Sequence, residues 1–217
     1  MRITALEPQV NNAERISVYA DGQFLLGISA ELAFKMGLHV EQELLPEQLE
    51  QLRSEEAEQQ AVDRALNYLS YRPRSRDEVR RYLRRKETPP EVIESALARL
   101  DRLDFVNDRS FATFWIENRE QFSPRGSRAL KNELRMKGVD REVVDELVDD
   151  EYSEHDEERA LLAGRKKAAS LLRSPGMDFA TFRNRLGSFL QRRGFGYEVT
   201  TRVVKQLWRE RDEDGES

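Results

Sequence analysis

The chain has no cysteine in its 217 residues, which excludes a disulfide framework and thiolate metal sites and agrees with a reducing compartment. It has only two histidines, His39 and His155; they lack metal-ligand spacing and are expected at the surface. No apolar run approaches the roughly 20 residues that a membrane-spanning helix needs. The opening residues Met1-Arg2-Ile3-Thr4-Ala5 lack the basic and apolar regions of a signal peptide. No phosphate loop, dinucleotide fingerprint or nucleophile elbow appears. Asp149-Asp150-Glu151 with Glu154, Asp156, Glu157 and Glu158 lacks the glycine turn of a calcium loop, so a solvated acidic junction is expected there. These absences predict a soluble, cytoplasmic protein with no catalytic residue, no metal and no cofactor.

Charge is what the chain has in excess. Charged residues make up 35% and apolar residues 38%, enough for thin helical layers with wide solvated faces. The net charge of -5 conceals an alternation: about -7 over residues 1–60, +6 over 61–138, -9 over 139–160, +9 over 161–209 and -4 over 210–217. Screening acts over roughly 8–10 Å, so a basic segment can attract phosphates or acidic protein surface even in an acidic chain.

One pattern occurs three times without gaps. Leu83, Leu134 and Leu190 serve as anchors, with Val79, Leu130 and Leu186 four residues before them and Lys86, Lys137 and Arg193 three residues after. Glu91-Val92, Glu142-Val143 and Glu198-Val199 follow, then Ala96/Leu97, Leu147/Val148 and Val203/Val204. Two apolar stripes at helical spacing, separated by a short break, make each copy a helix pair. Placing one further helix before each pair gives three-helix units at 61–103, 107–151 and 154–209. Phe111, Phe114 and Trp115 fall in the leading helix of the second unit, and a leading helix from about Glu154 to Leu172 opens the third. These aromatics, with Phe179, Phe182, Phe189 and Trp208, are expected in cores, whereas Tyr71 is a candidate for exposure. The fold class is mainly α: tandem three-helix repeats in an elongated array that presents a repeated binding surface.

The first 45 residues differ. Ile3 to Leu6 and Ile16 to Tyr19 alternate like strands, and Asp21-Gly22 is a two-residue hairpin signal. A small sheet of two or three strands is expected, followed by a short helix capped by Ser29 and ending near Gly37. Residues 46–60 form a helical linker, with Pro46 in its first turn. Ser75-Arg76-Asp77-Glu78 is a capping-box signature, and Gly138 and Gly194 act as C-terminal helix stops. Residues 210–217 form an acidic tail.

Three basic clusters are candidate partner- or DNA-binding residues: Arg72, Arg74, Arg76, Arg80, Arg81, Arg84, Arg85 and Lys86; Arg125, Arg128, Lys131, Arg135 and Lys137; and Arg183, Arg185, Arg192 and Arg193, with Arg202 and Lys205 near the last. Four arginines among residues 80–85 exceed what the helix dipole requires. Cations on equivalent helices suit a strand backbone or an acidic filament. The alternative is a stand-alone regulator that places one helix pair in duplex DNA as a helix-turn-helix.

Leu69-Ser70-Tyr71-Arg72-Pro73-Arg74-Ser75 with Glu78-Val79, Leu103 to Asp108 with Phe111-Ala112, and Gly126 to Leu130 with Glu133 to Val139 together resemble the RecX family of bacterial regulatory proteins. The resemblance covers about residues 61–209. It implies tandem three-helix repeats, no catalysis, and binding to RecA recombinase, especially its filament on single-stranded DNA; the chain itself is expected to be a monomer. By that resemblance the chain would modulate strand exchange, ATP hydrolysis and the DNA-damage response, commonly by inhibition. Two features depart from the repeat core: the strand-rich first segment, and Glu87-Thr88-Pro89-Pro90 where the later copies have Gly138-Val139 and Gly194-Phe195.

Overall fold

The computed structural model describes residues 1–10 and 12–214, with side chains described up to residue 211. Strands β1 (Ile3–Gln9), β2 (Asn12–Ala20) and β3 (Gln23–Ser29) are followed by helices α1 (Ala30–Lys35), α2 (Pro46–Leu69), α3 (Arg76–Arg85) and α4 (Pro90–Arg102). Then come α5 (Asp108–Phe122), α6 (Ser127–Met136), α7 (Arg141–Leu147), α8 (Asp150–Glu154), α9 (Asp156–Leu172), α10 (Phe179–Arg192) and α11 (Tyr197–Asp214). The chain divides into two compact units: Met1–Tyr71 with Val79–Phe105, and Arg72–Glu78 with everything from Val106 onward.

In the first unit, β1, β2 and β3 form one antiparallel sheet in that order. Ala20 and Gln23 pair across a turn in which Asp21 and Gly22 take φ of 49° and 79°, the left-handed pair that a two-residue hairpin needs. Ile3, Val18 and Ile28 of the sheet are fully buried with Leu32, Leu44 and Leu52. Ser29 caps α1 by accepting from the Leu32 amide at 3.0 Å. The expected linker is the first half of one continuous 24-residue helix, α2, and it carries core positions. There Glu56 is only 5% exposed; it accepts from Arg15 at 2.6 Å, the Ser29 amide at 3.1 Å and Gln60 at 2.7 Å. A carboxylate buried this deeply persists because its acceptor sites are filled.

The helix pairs fall where the repeated pattern places them, as α3–α4, α6–α7 and α10–α11. The anchors Leu83, Leu134 and Leu190 and the residues four before them are all fully buried. In the second unit, Phe111, Leu130, Leu134 and Val144 share one core, while Phe182, Leu186, Leu190 and Val203 share another. The expected leading helix of the third repeat is α9, which starts at Asp156 just after His155 closes the short α8. The acidic tail is helical to Asp214, and its last residues, 215–217, lie outside the described residues.

The three turns inside the helix pairs share one hydrogen-bond pattern. Leu83, Leu134 and Leu190 carbonyls each accept from the amides three and five residues on, and the residue between adopts a positive φ: Glu87 at 59°, Gly138 at 81° and Gly194 at 89°. The departure at Glu87 therefore does not change the turn. What separates the copies is packing: a Cβ on Gly138 would overlap Asp77 in the first turn of α3, and one on Gly194 would overlap Ala129 in α6. Gly138→Ala is expected to destabilise the protein by about 1–3 kcal/mol, through strain and overlap. By contrast, Glu87→Gly should change stability by less than about 1 kcal/mol. Urea midpoints of the two variants test this, and a Gly138→Ala loss no greater than about 1 kcal/mol would show that φ alone sets the requirement.

Candidate interaction surface

The recurring basic position directly follows the second helix of each repeat, and in the second unit its backbone and its side chain are both engaged. Ser75 donates its hydroxyl to the Lys137 carbonyl at 2.5 Å, and the Gly126 amide donates to the Arg193 carbonyl at 3.0 Å. Ser75 and Gly126 stand at the same offset before their anchors. One residue later, the Arg76 amide donates to Asp108 at 2.8 Å and the Ser127 amide to Asp156 at 3.1 Å. Asp108 and Asp156 are the first residues of α5 and α9, the leading helices of their repeats. The same joint is thus built twice: the start of a second helix is held by the aspartate and the helix end of the following repeat.

Each joint engages its cation. Lys137 reaches Glu78 at 2.7 Å and lies 4.1 Å from the Trp115 ring centre, while Arg72 grips the same carboxylate with two bonds of 3.1 Å. Burial opposes ionisation of Glu78, but the Arg72 and Lys137 hydrogen bonds outweigh it and pull the carboxyl down to about 2. The capping box is consequently half formed: Ser75 accepts from the Glu78 amide at 3.1 Å, and the Glu78 side chain turns to the two cations. Arg193 donates to the Pro124 carbonyl at 3.2 Å and stacks on Phe189; burial and then the neighbouring Arg125 lower its pKa. Asp156 is almost fully buried, accepting also from the Ser127 hydroxyl and from Arg159, each at 2.9 Å.

Other candidates are tied across a helix pair. Arg80 binds Glu94 through bonds of 2.8 and 3.2 Å. Lys131, Arg135 and Arg141 converge on Asp145 at 3.3, 2.9 and 3.3 Å, and Arg125 sits 3.4 Å from Glu133. Arg74 and Arg76 are half-buried and Arg81 is exposed; all three have partners of their own. Lys86 is exposed and lies 5.9 Å from the Tyr82 ring centre. Arg84, Arg85, Arg128, Arg183, Arg185 and Arg192 are exposed, and no acidic side chain pairs with them among the described residues.

Models of four RecX segments match this chain in order: the regulatory protein RecX N-terminal domain over residues 1–44, and the first, second and third three-helix domains over 61–100, 107–148 and 155–204. The chain belongs to the RecX family of regulatory proteins. It is 30% identical over 205 residues to the regulatory protein RecX of Clostridium botulinum (strain Alaska E43 / Type E3), covering 94% of this chain and 95% of that one. To the RecX of Bacillus subtilis (strain 168) it is 29% identical over 214 residues, covering 99% and 80%. A crystal structure of regulatory protein RecX matches with a TM-score of 0.71 at 21% identity, over 94% of this chain and 98% of the other. That of RecX from Lactobacillus salivarius matches with 0.58 at 24% identity, over 70% and 96%. The fold is therefore the RecX one, mainly helical with three tandem three-helix domains, and the N-terminal sheet that departs from the repeat core is itself a RecX segment.

Sequence reasoning overlooked two features of this RecX-family surface. Tyr68 and Tyr82 stack in parallel with ring centres 4.2 Å apart, beside the basic end of α3. Arg165 and Lys166 add exposed cations on α9, and the Arg165-Lys166-Lys167 run alone was enough to find them.

Glu78→Gln is expected to destabilise the protein by about 1 kcal/mol at pH 7, the pairs being partly screened at the surface. Because the folded carboxyl titrates below its ordinary value of 4.5, its contribution is complete above that value and disappears as pH falls towards about 2. The stability gap between wild type and variant, followed by urea denaturation at pH 7, 4 and 3, should therefore narrow with acid. A constant gap would remove the linkage.

Proposed function

We propose that this chain is a cytoplasmic, non-enzymatic regulator that binds RecA recombinase and its filament on single-stranded DNA. Bound there as a monomer, it modulates strand exchange, ATP hydrolysis and the DNA-damage response, by inhibition. Family membership supports the reading, since the relatives carry the name regulatory protein. The observation that carries it is the division of the cations. On the second helix of every repeat, Arg84 and Arg85 on α3, Arg128 on α6, and Arg183, Arg185 and Arg192 on α10 face solvent with no acidic partner among the described residues. Cations that pair with no carboxylate of their own chain among the described residues suit an acidic partner surface, which they steer and orient more than they tighten.

The partner-facing set is accordingly smaller than the seventeen residues of the three clusters. Arg72, Arg80, Arg125, Lys131, Arg135, Lys137 and Arg193 belong to internal pairs. Titrating the protein into RecA hydrolysing ATP on single-stranded DNA, at two salt concentrations, should lower the rate, more so at low salt. Reversing Arg84 and Arg85 to glutamate should raise the half-inhibitory concentration about tenfold with unchanged thermal stability. No effect of the wild-type protein at either salt would refute RecA modulation.

A further inference from the structure

The three helix pairs differ at four positions that face one another across the second and third helices. In the second repeat these positions, three before the anchor and one, seven and eleven after it, hold Lys131, Arg135, Arg141 and Asp145, whose three cations close on the single carboxylate. In the first repeat they hold Arg80, Arg84, Pro90 and Glu94, with Arg80 and Glu94 bridging the helices. The third repeat has Gly187, Gln191, Tyr197 and Thr201. No charge remains to close the surface, and between α10 and α11 lies an open groove of about 530 Å³.

The groove's other walls are as distinctive. Arg183 and Lys205 border it, exposed and without an acidic partner among the described residues, and no acidic side chain lines it. Tyr197 stands at its edge with 75% of its surface exposed. Its lining includes Thr200, at the position where the other repeats bury Ile93 and Val144. Thr200 is only 4% exposed, and its hydroxyl oxygen has no hydrogen-bond partner among the described residues. A buried hydroxyl in place of an apolar core residue is unfavourable unless something satisfies it.

We propose that this groove in the third repeat is a binding site for single-stranded nucleic acid. Arg183 and Lys205 take successive phosphates, Tyr197 stacks a base, and Asn184, Gln191 and the threonine hydroxyls offer hydrogen bonds to base edges and sugar. The exposed aromatic at the edge and the amides favour a nucleotide strand over an acidic peptide, which would need the cations alone. The inference extends the RecA reading but is tested without the recombinase, so either can fail while the other stands.

The test restores the closed surface of the second repeat in the full-length chain. At Gly187 an added Cβ would meet only the Thr200 methyl, at an ordinary contact distance of 3.7 Å. Gly187→Lys combined with Thr201→Asp should therefore fold with undiminished thermal stability while blocking the groove. Fluorescence anisotropy with a labelled oligothymidylate should show binding by the wild type and at least about tenfold weaker binding by this double variant. Tyr197→Ala should likewise weaken binding about tenfold with little change in salt dependence. Arg183→Gln with Lys205→Gln should lower the log–log salt slope by about 1.4, two single-strand phosphates' worth. Undiminished oligothymidylate binding by the double variant would overturn the site. So would displacement by a poly-glutamate peptide at equal charge concentration together with insensitivity to Tyr197→Ala, which would make the groove an acidic-peptide surface.

Discussion

The backbone groups at helix ends constrain this protein most, because a chain of short helices has many of them and each must find a partner. The first amides and last carbonyls of a helix have no intrahelical partner, and a buried one left unpaired is unfavourable by about 1–3 kcal/mol. Twice in the second unit the solution is the same. The first amide of a second helix goes to the leading aspartate of the following repeat, Asp108 or Asp156, and the carbonyl of Lys137 or Arg193 accepts from Ser75 or Gly126. Gly138 and Gly194 follow from this constraint, since a helix start can approach the turn closely only where no side chain stands.

That joint also explains how the basic residues are apportioned. A cation at the end of a helix already suits the dipole, and with the neighbouring helix start brought close, Lys137 and Arg193 find Glu78, Trp115, Pro124 and Phe189 within reach. They become structural. Arginines elsewhere on the same helices project to solvent, and those are the ones proposed above to meet a partner. The third repeat departs at the surface rather than in the joint: it keeps the turn and the glycine but loses the charges that close the helix pair in the other two copies.

Much of this was legible in the chain. The repeated apolar spacing located all three helix pairs and their buried anchors, and Asp21-Gly22 and Ser29 located the hairpin and the first helix cap. The tandem three-helix organisation was legible as well, and the three RecX three-helix segments bear it out. The quartet that opens the groove was present too, as Gly187, Gln191, Tyr197 and Thr201 at fixed offsets from Leu190. It carried no signal until the structure showed that those offsets face each other across two helices. Apolar period marks which residues are inside, and says little about which surface residues meet.

The same distinction separates what sequence determined from what tertiary structure decided. Burial follows from local period and hydrophobicity, so helices, turns and core positions could be assigned from the chain alone. Whether a lysine or arginine serves the fold or faces a partner depends on which carboxylate, ring or carbonyl a residue some 60–70 positions away brings to it, as Glu78 does for Lys137 and Pro124 for Arg193. Those pairings arise only when the helices pack. Sequence therefore identified this as a basic-faced helical repeat protein, and packing decided which of its cations are engaged within the fold and which remain exposed.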